Sequence, residues 1–211
     1  MGDIIVITNQ VGELQTNSYI VGNTKTREAI VIDPGDEADY IYKTLNHENF
    51  KCVGIFLTHG HMDHMGGMKK LKELTGTATY ASEDEKEILG SPMANLSAMF
   101  GNPIESSVDH YLSDGACIKI LDTEMKCISV PGHTRGGMCF YFEEAGVLFS
   151  GDTLFASSVG RSDFPTGDAA VLIGTIEEKL MTLPDETIVY PGHNNHTKIG
   201  REKKFNPFFS F

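Results

Sequence analysis

His59, His61, Asp63 and His64 fall within six consecutive positions, directly after the apolar run Val53-Gly54-Ile55-Phe56-Leu57. Imidazole and carboxylate together form the ligand set of Zn²⁺ and related divalent cations. Alternate residues of an extended stretch point the same way, so His59 and His61 are able to share one ion. Asp63 and His64 follow where the loop turns into a helix, in position to face a second ion. Three later turns repeat the design, each a β-rich run ending in glycine and a ligand-type residue: Ile128 to His133, Val147 to Asp152, and Ile188 to His193. Glycine before each ligand permits a tight turn and close approach to an ion. One such turn would be an ordinary surface feature; four built alike are not a coincidence. The ligand turns hold no cysteine and the chain has no Gly-x-Ser-x-Gly turn, so no side-chain nucleophile is expected. Two divalent cations stabilise hydroxide near neutral pH, and one of them polarises the attacked oxygen, so the chemistry expected is metal-assisted hydrolysis.

The elements that must carry these residues are legible from periodicity. Residues 4–7, 18–21 and 29–32 read as strands, 36–47 as a helix, 53–57 as a buried strand and 66–74 as a helix. The second half repeats the scheme, with strands near 116–121, 125–130, 138–142 and 146–149, a helix over 168–181 and a strand over 187–190. Such a succession predicts two β-sheets packed together with helices outside. Residues 91–107 read as a loop or short helical insertion. The segment 201–211 carries Phe205, Phe208, Phe209 and Phe211, too apolar to float freely, and is expected to dock on a single domain spanning 1–211.

The chain has 211 residues with 17 basic and 29 acidic side chains, a net charge of −12. That balance disfavours phosphate backbones and anionic lipid, so no nucleic-acid or membrane partner is expected. Hydrophobic content of 40% against 22% charged excludes a disordered chain. No apolar run reaches the ~20 residues a membrane helix needs. The N-terminus shows no signal peptide or myristoylation pattern, and the four scattered cysteines read as reduced thiols. A cytoplasmic location is the expectation. Of the other histidines, His47 sits at a helix end, His110 near a turn, and His196 three residues past His193; surface or structural roles are expected for all three.

With Asp33 after the third strand, the HxHxDH run and then His133, Asp152 and His193 in order, residues 29–193 resemble the metallo-β-lactamase superfamily. The resemblance implies an α+β fold, a four-layer αββα sandwich of two mixed sheets with metals at one edge between them. It assigns His59, His61 and His133 to one ion, Asp63, His64 and His193 to a second, and Asp152 to both. Asp33 would orient the loop without ligating. Asp63 and Asp152 would be the catalytic carboxylates, acting with a bridging hydroxide. The cofactor implied is two divalent ions, zinc first, with iron or manganese able to use the same donors.

The stretches Gly160-Arg161-Ser162-Asp163-Phe164 and Thr197 to Phe208 are similar to glyoxalase II, the hydroxyacylglutathione hydrolases, particularly short bacterial members. The substrate implied is a small thioester. Arg161, and Arg201 with Lys204 in the Arg-Glu-Lys segment, match basic positions that hold glutathione carboxylates. Two tyrosines of that pocket are not matched, since Asp163 and Asn195 stand roughly in their places, and the chain is shorter than members with an extra helical region. Thioester hydrolysis is therefore better supported than glutathione specificity. The rival is a mononuclear iron persulfide dioxygenase; lactone or other ester hydrolysis is also open on this scaffold, and a metal-binding module without turnover usually lacks ligands present here. The assembly expected is a monomer or homodimer.

Overall fold

Apolar side chains alternate along the strands and so sort themselves into separate layers. The structure, a computed structural model, describes residues 3–209. One sheet holds β1 (Ile4–Val11), β2 (Thr16–Asn23), β3 (Glu28–Ile32), β4 (Lys51–Phe56), β5 (Thr79–Ser82) and β6 (His110–Leu112) in that spatial order. Its first two pairings are antiparallel and its last three parallel. The other contains β7 (Cys117–Ile120), β8 (Thr123–Ser129), β9 (Met138–Phe142) and β10 (Val147–Gly151). After a ribbon of β11 (Leu154–Phe155) and β12 (Ser158–Val159), it is completed by β13 (Ile188–Pro191) and β14 (Thr197–Lys198), in the order β14-β13-β10-β9-β8-β7. Only β10 and β13 pair parallel in it.

Between the sheets, Tyr19, Ile30, Ile32 and Phe56 meet Phe140, Phe142 and Phe149. The alternate residues of the first sheet, among them Ile20, Val31 and Ile55, pack on Ile41, Leu45 and Leu71. Those belong to α1 (Ala38–His47) and to α3 (Met68–Thr75), which follows the short α2 (Met62–Met65). A further short helix, α4 (Lys86–Leu89), follows β5. The outer face of the second sheet, with Cys139, Tyr141 and Leu148, is covered by Leu172 of α5 (Ala169–Thr175), by Ile176 and Leu180, and by Ile199 of α6 (Ile199–Phe205). The result is the expected αββα sandwich. Each fully buried side chain of this kind contributes roughly 1.5–3 kcal/mol.

Several elements differ from the periodicity reading. The helix expected over 66–74 breaks at Gly66 and Gly67 because the Pro34-Gly35 backbone presses on it: a Cβ on Gly66 would stand 2.5 Å from Gly35 O, and one on Gly67 2.7 Å from Pro34 O. The helix over 168–181 loses α-geometry at Ile176–Leu180, which forms one wide π-type turn. Strands β5 and β6, with four and three residues, are too short to show alternation. Residues 91–107 form a loop with one 3₁₀ turn, Ser97–Phe100. The segment from 201 does not dock by its row of phenylalanines: Phe209 is buried, but Phe205 and Phe208 are 69% and 46% exposed. Phe211 lies outside the described residues. What anchors this segment is polar, the fully buried Glu202, which accepts from Ser157 N, Thr197 Oγ1 and Asn206 Nδ2. Among the described residues no helix is long and apolar enough to cross a membrane, and all four cysteines are free.

Candidate metal centre

Every ligand-type turn leaves a strand at the same end of the sandwich. Strands β3 and β4 run parallel, and β8, β10 and β13 share one direction in the facing sheet. Their C-terminal turns therefore converge where the two sheets meet. His59 and His61 follow β4, Asp63 and His64 ride on α2, and His133, Asp152 and His193 follow β8, β10 and β13. The approach is tight enough to exclude side chains. A Cβ on Gly192 would stand 2.2 Å from Asp152 Oδ1, and Gly151, at φ +50°, would place one 2.3 Å from Thr58 Oγ1.

All seven residues are brought together. His133 Nε2 lies 3.2 Å from His59 Nε2 and 3.0 Å from His61 Nδ1. Nitrogens bound at about 2.0–2.1 Å to a tetrahedral ion stand roughly 3.3 Å apart, so this triangle has nearly the size of a ligand face. A second group forms where Asp63 Oδ2 lies 3.2 Å from His193 Nε2 and 3.5 Å from His64 Nε2. Asp152 stands between the groups. Its Oδ1 is 3.5 Å from His64 Nε2, while its Oδ2 is 3.6 Å from His193 Nε2 and 3.7 Å from His133 Nε2. His61 Nε2, His64 Nε2 and Asp152 Oδ1 are buried without hydrogen-bond partners. Orphaned polar atoms are costly, and two of these face each other across the same space. The donor set suits cations.

The other ring nitrogens are held from behind. Asp33, at φ +51°, accepts from Thr58 N and Thr58 Oγ1 and stands 3.0 Å from His64 Nδ1. It therefore fixes both the His59 turn and the His64 ring without reaching the cluster. His133 Nδ1 sits 2.6 Å from Arg161 O, and Thr16 Oγ1 donates to Asp63 Oδ2 at 3.0 Å. Burial, reinforced by neighbouring imidazoles, pushes His59 and His61 well below the usual histidine range, and burial lowers His133 against the pull of Asp152 and Arg161 O. His64 goes the other way. Burial alone would lower it, but Asp63, Asp152 and Asp33 outweigh that and raise it to about 10. Burial would likewise raise Asp63, yet His64, His193 and Thr16 hold its carboxyl far below the ordinary value.

Two contributors were not apparent from ligand grammar. Glu85 is fully buried and accepts from Gly60 N at 2.7 Å, Thr134 Oγ1 at 2.5 Å and Gly136 N at 3.0 Å. It thus ties the turn carrying His59 and His61 to the turn carrying His133. Glu202 does the same for the β11–β12 ribbon through Ser157 N. A carboxylate in a polar stretch carries no sequence mark of burial, so neither stands out in the chain.

Beside the cluster opens a cavity of about 590 Å³, lined by His61, Asp63, His133, Asp152 and His193 together with largely apolar side chains. Arg161 reaches this cavity. Arg201 and Lys204 do not line it: Arg201 donates to Ser157 Oγ and Glu202 Oε1, and Lys204 is exposed on α6. Asn195 and His196 line a separate cavity with Tyr40 and Tyr190. His47 is exposed beside Glu48, and His110 stacks on Tyr80.

The metallo-beta-lactamase superfamily model matches residues 11–193. An uncharacterized protein of Aquifex aeolicus is 39% identical over 206 residues, 97% of each chain. Hydroxyacylglutathione hydrolase GloC of Haemophilus influenzae is 35% identical over 206 residues, 95% of each. Among solved structures, BLEG-1 B3 metallo-beta-lactamase superposes with a TM-score of 0.92 at 34% identity, covering 97% of this chain and 99% of that one. TTHA1623 in a di-iron-bound form gives 0.85 at 32%, covering 96% and 100%.

Proposed function

From the premise that this chain belongs to the metallo-beta-lactamase superfamily, we propose that it is a dinuclear metal-dependent hydrolase of thioesters, similar in reaction to glyoxalase II. The observation that carries this reading is the placement of Asp152, whose Oδ2 lies 3.7 Å from His133 in one ligand group and 3.6 Å from His193 in the other, while its Oδ1 faces His64 at 3.5 Å. His59, His61 and His133 would hold one cation, Asp63, His64 and His193 the other, and Asp152 both. Bound there, divalent cations supply Lewis acidity toward a carbonyl oxygen and lower the pKa of water toward neutrality. Zinc is the ion we assign first, with iron or manganese served by the same donors.

The chain's own residues supply orientation and charge. Asp33 and Thr16 fix His64 and Asp63, and Asp63 is kept ionised, the form that holds a cation. The 35% identity to a relative named hydroxyacylglutathione hydrolase supports the thioester. In the reaction, water oxygen adds to the carbonyl carbon and the C–S bond breaks. One proton goes to the departing thiolate and one is lost from the new carboxylic acid. A mononuclear iron dioxygenase would need only one ligand group; the second, braced from behind by Asp33 and Thr16, favours the hydrolase. We place the enzyme in the cytoplasm, acting on a small molecule as a monomer or homodimer.

Zinc-loaded protein is expected to hydrolyse thioesters of lactate, on glutathione or on N-acetylcysteamine. Turnover should disappear on chelation and return with zinc. Folded protein holding two ions that cleaves none of them would sink the thioester assignment, and iron content with oxygen consumption on a persulfide would be the next measurement.

The protonation pattern adds a pH prediction. His59, His61 and His133 are neutral at pH 7 before any ion arrives, whereas His64 carries a proton up to about pH 10. An ion entering the His64 group must expel that proton. His193 in the same group is also raised by Asp63 and Asp152 against its burial, so affinity of the second ion should rise about tenfold per pH unit for each proton expelled, while the first changes less. Stepwise zinc titrations at pH 6, 7 and 8 should show the two dissociation constants converging; a constant ratio would contradict the assignment of His64.

A further inference from the structure

We infer that this site selects a thioester with apolar, uncharged arms, and that Asp163 turns away dicarboxylate thiols such as glutathione by occupying Arg161. The inference rests on the hydrolase reading above and names the substrate class of the same site. Among the described residues lining the cavity, Arg161 is the one lysine or arginine. Its guanidinium is already engaged: Nε and Nη2 donate to the two oxygens of Asp163, each at 2.7 Å. Its guanidinium carbon lies 3.9 Å from the centroid of the Phe164 ring, which also meets His61 edge-on at 5.7 Å between centroids. Both the forked edge and the flat face of the cation are thus used by residues two and three positions along the same turn.

A glutathione arm brings two carboxylates, and carboxylate recognition depends on free guanidinium or ammonium donors. Arg201 and Lys204 point elsewhere, so the cavity offers that arm one cation, and that cation is taken. An exposed ion pair is weak in itself. A carboxylate tethered two residues away nevertheless acts at an effective concentration on the order of millimolar or above, ahead of a dilute ligand. The rest of the wall favours the opposite chemistry. Leu96, Phe155, Val159 and Phe164 line it, with Leu14 and Phe100 at 46% and 56% exposure. Apolar surface left open beside a reactive centre gains by being covered.

Two thioethers that cannot be hydrolysed separate recognition from catalysis: S-hexylglutathione and S-hexyl-N-acetylcysteamine, titrated calorimetrically into metal-free and zinc-loaded protein. Wild type is expected to prefer the uncharged probe about tenfold, because carboxylates would enter without partners. Asp163→Asn frees Arg161 and should reduce that preference about fivefold in both metal states. Adding Arg161→Ala to Asp163→Asn should restore it. Asp163 is exposed, which protects folding of the variant, and Asp163→Ser gives the same result by a different side chain. Equal affinity of wild type for the two probes overturns the inference. So does a preference that neither Asp163 variant moves. A preference retained in protein that turns over no thioester supports this assignment and counts only against the hydrolase reading.

Discussion

Asp152→Ala should leave a folded protein that binds one cation in place of two and hydrolyses thioesters at least ~10³-fold more slowly. Asp152 is alone among the seven candidate ligands in reaching three imidazoles from both groups, His64 through Oδ1 and His193 and His133 through Oδ2. Without it, His59, His61 and His133 still form a complete triangle of nitrogens, so one ion is retained. The other group keeps Asp63, His64 and His193 but loses the carboxylate that links it to the first. Folding should survive because Oδ1 has no hydrogen-bond partner to lose. Removing this carboxylate also takes away one of three that hold His64 protonated, which lowers its pKa from about 10. Asp152→Asn separates charge from shape. The amide keeps the shape of the carboxylate beside Gly192, where an added Cβ would stand 2.2 Å from Oδ1, and should still fail as a link between two cations. Metal content after dialysis and steady-state rates on the same samples decide it. Two ions retained with turnover within tenfold of wild type would show that Asp152 does not join the groups.

The candidate ligands were legible because they obey local rules, a strand that ends in glycine followed by His or Asp at His133, Asp152 and His193, and four ligand-type residues within six positions after a strand at His59 to His64; local rules survive in a linear chain. The sandwich was legible for a related reason: β-rich runs such as Ala29–Ile32 end at turn residues, and in the structure Ile30 and Ile32 face one way and Ala29 and Val31 the other. What escaped notice is non-local. Glu85 bonds to Gly60, 25 positions before it, and to Thr134 and Gly136, about 50 after it. Nothing in Glu83-Asp84-Glu85-Lys86-Glu87 distinguishes the one buried carboxylate from its exposed neighbours. Arg201 and Lys204 failed differently. Resemblance locates a position on the chain, but the turn of α6 decides where the side chain goes. There the middle residue of Arg201-Glu202-Lys203 goes into the core, leaving the cations outside. Residue type without direction is a weak guide to substrate contacts, and that is why Asp163 matters: it decides what Arg161 is free to hold.

Glu85 is where the same logic predicts a large loss from a residue that touches no candidate ligand. Replacing it by Ala leaves two backbone N–H groups and the Thr134 hydroxyl buried without an acceptor, a destabilisation of about 3–5 kcal/mol. Glu85→Gln is the more telling change. Both carboxylate oxygens accept, Oε2 from Gly60 and Oε1 from Thr134 and Gly136, so an amide of the same shape must turn a donor toward a donor on one side. The turns bearing His59, His61 and His133 then separate, and zinc affinity should fall about 10–100-fold, as when groups that orient ligands are lost. The pH dependence checks the cause. Burial pushes Glu85 from 4.5 up to about 7, against three donors that pull it back. Between those values the folded chain keeps a proton that the unfolded chain has released, so this group makes stability fall as pH rises from 4.5 to 7. Gln carries no such proton. Denaturant titrations of metal-free wild type and Glu85→Gln across pH 4.5–7 should therefore differ least at the alkaline end, where the wild-type chain has lost most of the stability that its buried proton supplies. A constant difference across that range, with unchanged zinc affinity, would reduce Glu85 to one more core contact.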